Sequence, residues 1–233
     1  SHNREKIKEL ASGQLKDEAN AWFVGEPFKV FYDYKKEGIW QLGEEAAAAA
    51  NGQEPGDIKV QDVDGNGVIT TDDRIIYSQR PDVTFGFNNT FNYKGFDLSV
   101  FLYARLGQWI AYDYNTTYRI NALENGGNVD YWTPENPTNA FPRPNKSKSY
   151  TQVTYYSTLK YEDGSFFKIR DITLGYTFKP ELLKHLNLSK LRVYATAKNF
   201  FTFSKIDNYD PEQGGSISFP MTKQLVFGLN VEF

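Results

Sequence analysis

The sequence predicts an all-β chain: the C-terminal strands of a large antiparallel transmembrane β-barrel with long extracellular loops. Three observations carry this expectation. Apolar residues recur at every second position in five segments, the connections between those segments alternate long and short, and no apolar run approaches the roughly 18 residues a spanning helix needs. Composition agrees: 40% of the 233 residues are hydrophobic and mean hydropathy is -0.58. That is low for a bundle of spanning helices but suits a barrel, where only alternate residues meet lipid. Aromatic content of 16% is high enough to supply the girdles found at membrane interfaces. The absence of cysteine excludes a disulfide framework and a thiol nucleophile. A net charge of -3 leaves no electrostatic footprint for nucleic acid, so no nucleic-acid partner is expected. The opening SHNREKIKEL lacks the apolar region of a signal peptide, so the chain is expected either to be cytoplasmic or to begin inside a longer precursor.

Residues 1–82 are polar and are expected to form an extracellular loop region outside the membrane. Within them, 44–50 reads as a short surface helix, with acids at its start and Asn51-Gly52 at its end. From residue 83 the period changes to two. Val83, Phe85, Phe87, Phe91 and Tyr93 share one parity, and after the tight Lys94-Gly95 turn Phe96, Leu98, Val100, Leu102 and Ala104 oppose Asp97, Ser99, Phe101, Tyr103 and Arg105. A third strand over 166–178 sets Ile172, Leu174, Tyr176 and Phe178 against Asp171, Thr173, Gly175 and Thr177. A fourth, 191–203, sets Leu191, Val193, Ala195 and Ala197 against Arg192, Tyr194, Thr196 and Lys198. The closing QLVFGLNVEF places Leu225, Phe227, Leu229, Val231 and Phe233 on one face.

Counted back from Phe233 at a periplasmic boundary, the connections run long (204–222), short and Pro-led (179–190), very long (107–165) and tight (94–95). This is the order required by a barrel with short periplasmic turns and long outer loops. Asp97, Arg105, Asp171, Arg192 and Lys198 fall on the inward faces, where a hydrated interior tolerates charge that a packed core would not. Tyr93, Phe96, Phe178 and Phe233 fall at the periplasmic strand ends, where an aromatic girdle belongs.

One motif carries metal chemistry. In DVDGNGVITTDD (62–73), Asp62, Asp64 and Asn66 occupy positions 1, 3 and 5 of a calcium loop. Gly67 allows the turn, the Val68 carbonyl stands at position 7 and Asp73 closes at position 12. An EF-hand carries glutamate at that last position and a helix before the loop, and both are missing here. A self-capped Asp/Asn/Gly turn without metal is the alternative to bound Ca2+. With His2 and His185 as the only histidines, no His-based triad or multi-histidine metal site is expected, and no enzyme activity. Tyr112, Tyr114, Tyr118, Tyr131 and Trp132 cluster in the longest loop, where their rings serve either to stack on substrate sugars or to pack the loop.

Six stretches, GIWQLGEEAAAAANGQEPGDIKVQDVDGNGVIT (38–70), PDVTFGFNNTFNYKGFDLSVFLYARLG (81–107), YWTPENPTN (131–139), SFFKIRDITLGYTFKPELL (165–183), LRVYATAKNFFTFS (191–204) and QLVFGLNVEF, resemble in order the C-terminal portion of SusC/RagA-type TonB-dependent outer-membrane transporters of Bacteroidetes. The resemblance implies a barrel of about 22 strands around an N-terminal plug. It also implies a location in the bacterial outer membrane, among lipid and the remainder of the same barrel. A SusD-like surface lipoprotein would close over the mouth, and the TonB complex would drive import of oligosaccharides or peptides through an N-terminal part missing here. By position, Arg105, Arg192 and Lys198 are lumen candidates, with Tyr112, Tyr114, Tyr118 and Trp132 as loop candidates for substrate contact. Rival readings are a soluble calcium-binding β-rich adhesin or carbohydrate-binding module, and a passive porin.

Overall fold

In the computed structural model, which describes residues 1–123 and 125–233, short strands come first: β1 (Lys16–Asp17), β2 (Trp22–Phe23), β3 (Val30–Tyr34) and β4 (Lys36–Ile39). Helix α1 (Glu45–Ala50), β5 (Ile58–Val60) and β6 (Arg74–Ser78) follow. Long strands β7 (Val83–Tyr93) and β8 (Phe96–Leu106) come next, then the short β9 (Trp109–Ala111) and β10 (Tyr161–Asp163). Strands β11 (Phe166–Thr177), β12 (Lys190–Ser204) and β13 (Gln224–Glu232) end the chain, with α2 (Pro180–Leu183) between β11 and β12. The five long strands form one antiparallel sheet in the order β13-β12-β11-β8-β7, an up-and-down meander. All five expected strands are present, and the expected helix begins one residue later than read.

Sheet register lines the outward residues into rows. Phe227, Ala195, Leu174, Leu98 and Phe91 form one row, and Leu225, Ala197, Ile172 and Val100 another. Toward the short turns the row is Leu229, Val193, Tyr176, Phe96 and Tyr93; toward the loops it is Phe203, Phe167, Ala104 and Phe85. Both border rows carry aromatic rings, with Phe96 and Tyr176 4.7 Å apart at one border and Phe167 and Phe203 6.1 Å apart at the other. The eight residue steps of β8 from Phe96 to Ala104 span about 27 Å along the strand, or about 20 Å of height at the usual barrel tilt. Phe91, Leu174, Phe227 and Leu229 are each more than half exposed. An apolar face of that size, with nothing from the chain covering it, is what lipid would cover.

The inward face is polar. Thr173 and Thr196 are hydroxyl to hydroxyl at 2.9 Å, and Arg192 clamps Asp97 through Nε (2.9 Å) and Nη2 (2.6 Å). That clamp reaches over β11 because Gly175 lies beneath it: a Cβ there would sit 2.5 Å from both Arg192 Nη2 and Asp97 Oδ1. The β7–β8 hairpin closes on Lys94 and Gly95, both at positive φ, the geometry that matches the twist of paired strands.

A bulge in β11 departs from strict alternation. Ile169 pairs with Leu102 and Asp171 with Phe101, leaving Arg170 extra, so Phe166, Lys168 and Arg170 switch to the inner face beside Asp171. Lys168 is completely buried there. Its ammonium meets Asp210 Oδ2 at 2.6 Å and Glu212 Oε2 at 2.8 Å, Arg170 meets Glu212 Oε1 at 3.0 Å, and Thr202 donates to Asp210 Oδ2. Asp210 caps the Pro211–Gln213 turn and Glu212 lies within it, so the long connection after β12 folds down against the inner face.

The remaining segments form a lobe at the loop ends of the sheet. Ile39, Ile58 and Val60 from the first 82 residues pack with Trp132 and Leu159 from the 107–165 connection, so both regions share one core. Residues 1–3 return to the sheet: His2 bridges Val83 antiparallel, and Thr84 N–H donates to Ser1 O at 2.9 Å along the open edge of β7. Among the described residues no helix is long and apolar enough to cross a membrane.

Two outcomes are expected. In the full-length protein Val100→Arg, outward and central, costs about 2–4 kcal/mol of barrel stability. Ser99→Arg, one residue away and inward, leaves assembly intact; heat-modifiable mobility on gels reads both, and equal effects would overturn the face assignment. Lys168→Met strands two carboxylates beneath the loop and costs about 3–5 kcal/mol, seen as new protease cleavage within 205–223.

Candidate functional site

The sequence candidates fall into three separate places. On the inner face, Arg192 is engaged by Asp97, whereas Lys198 lies 3.6 Å from Asp171 and is half exposed. Arg105 Nε donates to Tyr103 Oη at 2.8 Å, and its guanidinium lies over the rings of Tyr103 and Phe166. The residues that contribute most charge under the loop, Lys168 and Arg170, were not among the candidates, because strict alternation puts 166, 168 and 170 on the lipid side. The signal was present: the run Lys168-Ile169-Arg170-Asp171 cannot place all its charges inward without an extra residue.

The loop aromatics do not form one platform. Tyr112 and Tyr114 stack at 5.9 Å and pack with Ile110, Ile206 and Tyr209, joining the 107–165 connection to the one after β12. Burial and the neighbouring Tyr114 and Tyr209 push the Tyr112 hydroxyl up to about 12. Tyr118 packs edge-on against Phe141 and donates to Pro142 O at 2.9 Å. Trp132 sits in the lobe core, and its Nε1 donates to Gln41 Oε1 at 2.8 Å. Tyr112, Tyr118 and Trp132 are each about 5% exposed or less, so their ring faces meet protein. Tyr131 remains exposed.

The third place is the 62–73 loop. Asp62 accepts from Gly65 N–H (2.8 Å) and Gly67 N–H (2.7 Å), and Asp64 accepts from Asn66 N–H (3.1 Å). Asn66 Oδ1 accepts from Val68 N–H at 2.8 Å, so that oxygen is already turned into the loop backbone. Asp73 is fully buried, accepting from Val63 N–H and Thr70 N–H at 2.7 Å each. Those backbone donors, Thr70 foremost, hold its carboxyl below the usual range despite burial. Oxygens of Asp62, Asp64 and Asp73 lie within 4.8 Å of one another. Ile69 packs on the lobe core, and its N–H donates to Asn51 Oδ1 at the end of α1. The donor set fits a hard cation by oxygen type and proximity. With both Asp73 oxygens engaged by backbone, bidentate closure in the EF-hand manner is weakened.

No protein-family model matches the chain. TonB-dependent receptor P3 of Formosa agariphila is 30% identical over 270 residues, covering all of this chain and 26% of that protein. TonB-dependent receptor P26 of the same organism is 32% identical over 233 residues, covering 90% of the chain and 23% of that protein. TonB-dependent receptor SusC of Bacteroides thetaiotaomicron is 31% identical across 74% of the chain. The chain thus spans about a quarter of the length of the curated relatives it matches. Among solved structures, the RagAB peptide transporter superposes with a TM-score of 0.74 at 24% identity over the whole chain and 26% of its own. The RagAB peptide importer in its open-open state gives 0.70 at 26% identity, with the same coverage. Outward lipid rows, a charged inner face, a loop lobe above them and sequence likeness along the whole chain converge: this is a barrel segment belonging to the SusC/RagA type of TonB-dependent outer-membrane receptors.

Proposed function

We propose that this segment forms part of the wall and extracellular roof of an energy-coupled importer that takes up oligosaccharides or peptides. The single observation that carries the reading is the inner face: charged and hydroxylated along the strands, and roofed by a connection that Lys168, Asp210 and Glu212 hold down. A wall packed only against protein would have to bury Arg170, Asp171 and Lys198 at high cost, whereas on a wall lining a hydrated passage these part-exposed charges stay solvated. The remainder of the barrel pairs with the open edges of β7 and β13, the TonB complex acts through the plug, and a SusD-like surface lipoprotein closes over the lobe. Their naming as receptors makes the relatives transport proteins by kind, and no catalytic constellation is proposed for this chain.

The 62–73 loop is read as a weak calcium clamp that stiffens the lobe. Three carboxylates whose oxygens gather within 4.8 Å of one another offer one hard cation a set of oxygen donors, which supports that reading.

Two outcomes test these readings. Loss of the receptor gene abolishes growth on the imported oligomer but not on its monomer, and a protonophore stops uptake at once. Uptake that survives collapse of the proton gradient would leave a passive pore instead. Ca2+ titration of the purified full-length receptor, followed by hydrogen exchange over 62–73, gives a Kd on the order of 0.1–1 mM. Because the folded Asp73 carboxyl is held below its unfolded range, the clamp's contribution is present above the usual carboxylate range and is lost as pH falls through the lowered value. An unchanged Kd in Asp73→Asn would remove the clamp.

A further inference from the structure

The lobe holds a cavity of about 580 Å3 that none of the sequence candidates named, within the size of ordinary ligand sites. Its walls are 3-10 turns: one spanning Asp113–Thr117 and one spanning Tyr156–Lys160, with Tyr150 and Tyr155 beside them. Tyr155 and Tyr156 back onto the lobe core of Ile39, Ile58, Val60, Trp132 and Leu159, which makes the floor rigid. Tyr156 donates its hydroxyl to Tyr118 O at 2.6 Å, leaving its ring as the surface offered to the cavity. Tyr150, more than half exposed, lies 5.9 Å from that ring.

Tyr155 adopts a left-handed backbone with φ at +63°. A bulky residue rarely adopts that conformation, and where one does, the surroundings hold it there for a purpose. Here Thr158 holds the Tyr155 carbonyl through both its N–H and its hydroxyl.

Lys160 and Arg119 line the cavity, no carboxylate lines it among the described residues, and Lys160 makes no ion pair among the described residues. None of the described residues lining the cavity lies in a strand, and Tyr156 N–H is already engaged by Val153 O. An extended peptide therefore finds no open strand edge to pair with. Recognition must come from ring faces, from the hydroxyls of Thr116 and Ser157, and from cations. Ring faces carry partial negative charge that suits the C–H faces of sugar rings.

We infer that this cavity is a binding site for an acidic oligosaccharide, seated against Tyr150 and Tyr156 with a carboxylate or sulfate at Lys160. The inference rests on the import reading and sharpens its substrate class.

The test is calorimetry on the full-length receptor with its lipoprotein partner in detergent, using tetragalacturonate, galactotetraose and tetraglutamate as probes. Tetragalacturonate is expected to bind at least tenfold tighter than galactotetraose. Lys160→Gln weakens it about tenfold, Lys160→Arg retains it, and the exposed Tyr150→Ala weakens it several-fold while leaving the melting temperature unchanged. Equal affinity for galactotetraose, tighter binding of tetraglutamate, or indifference to Lys160→Gln each overturns the assignment. Energised uptake of some other nutrient without tetragalacturonate binding overturns this site alone, whereas absence of any energised uptake overturns the import reading and leaves the binding result to decide the site.

Discussion

A lysine ammonium with no solvent contact, held between two carboxylates from a loop 42 and 44 residues downstream, fastens the connection after β12 to the sheet. Lys168 alone on the inner wall would be an unpaired charge in a shielded place, and Asp210 and Glu212 alone would have no reason to leave water. Paired, they bring the connection after β12 down onto the wall. That connection carries Ile206 and Tyr209, which pack on Ile110 and Tyr112. Tyr112 in turn donates its N–H to Lys160 O, next to the paired β9 and β10. The chain of contacts thus runs from one buried cation, through two loops, to the turns that frame the lobe cavity.

The sheet beneath is governed by the need to satisfy backbone groups in a medium without water. Strands answer it by pairing, and pairing at period two separates the side chains into a lipid face and a lumen face. The lumen face then has room for a diagonal ion pair, because Gly175 leaves the space between Asp97 and Arg192 open. The same constraint explains why the edges of β7 and β13 look unfinished. The start of the β7 edge is already taken by residues 1–3, the position any further barrel strand would continue.

Transport by such a wall would depend on what the roof admits. The aromatic residues of the long loop do most of their work as packing, fastening one loop to another; Tyr131 and Tyr150 stay exposed, and Tyr150 stands with Tyr155 and Tyr156 in the cavity wall. The acidic 62–73 loop packs on the same core, tied to it through Ile69 and Asn51. A cation there would stiffen the lobe that frames the cavity.

Alternation of side chains sufficed to place β7, β8, β11, β12 and β13 and their outward faces, except in the first half of β11, because lipid on one side and water on the other impose the period on the residues themselves. The gathering of Asp62, Asp64 and Asp73 was legible because those residues are local in sequence. What only the folded chain decided lies where residues far apart meet. The bulge at Arg170 moved Phe166, Lys168 and Arg170 to the inner face, and Lys168 found Asp210 and Glu212. Tyr112, Tyr118 and Trp132 went into separate cores rather than one platform. A cavity formed among turns that carry no period at all. Local periodicity records the solvent each residue meets, whereas burial of a charge or a ring depends on partners that only the tertiary fold brings within reach.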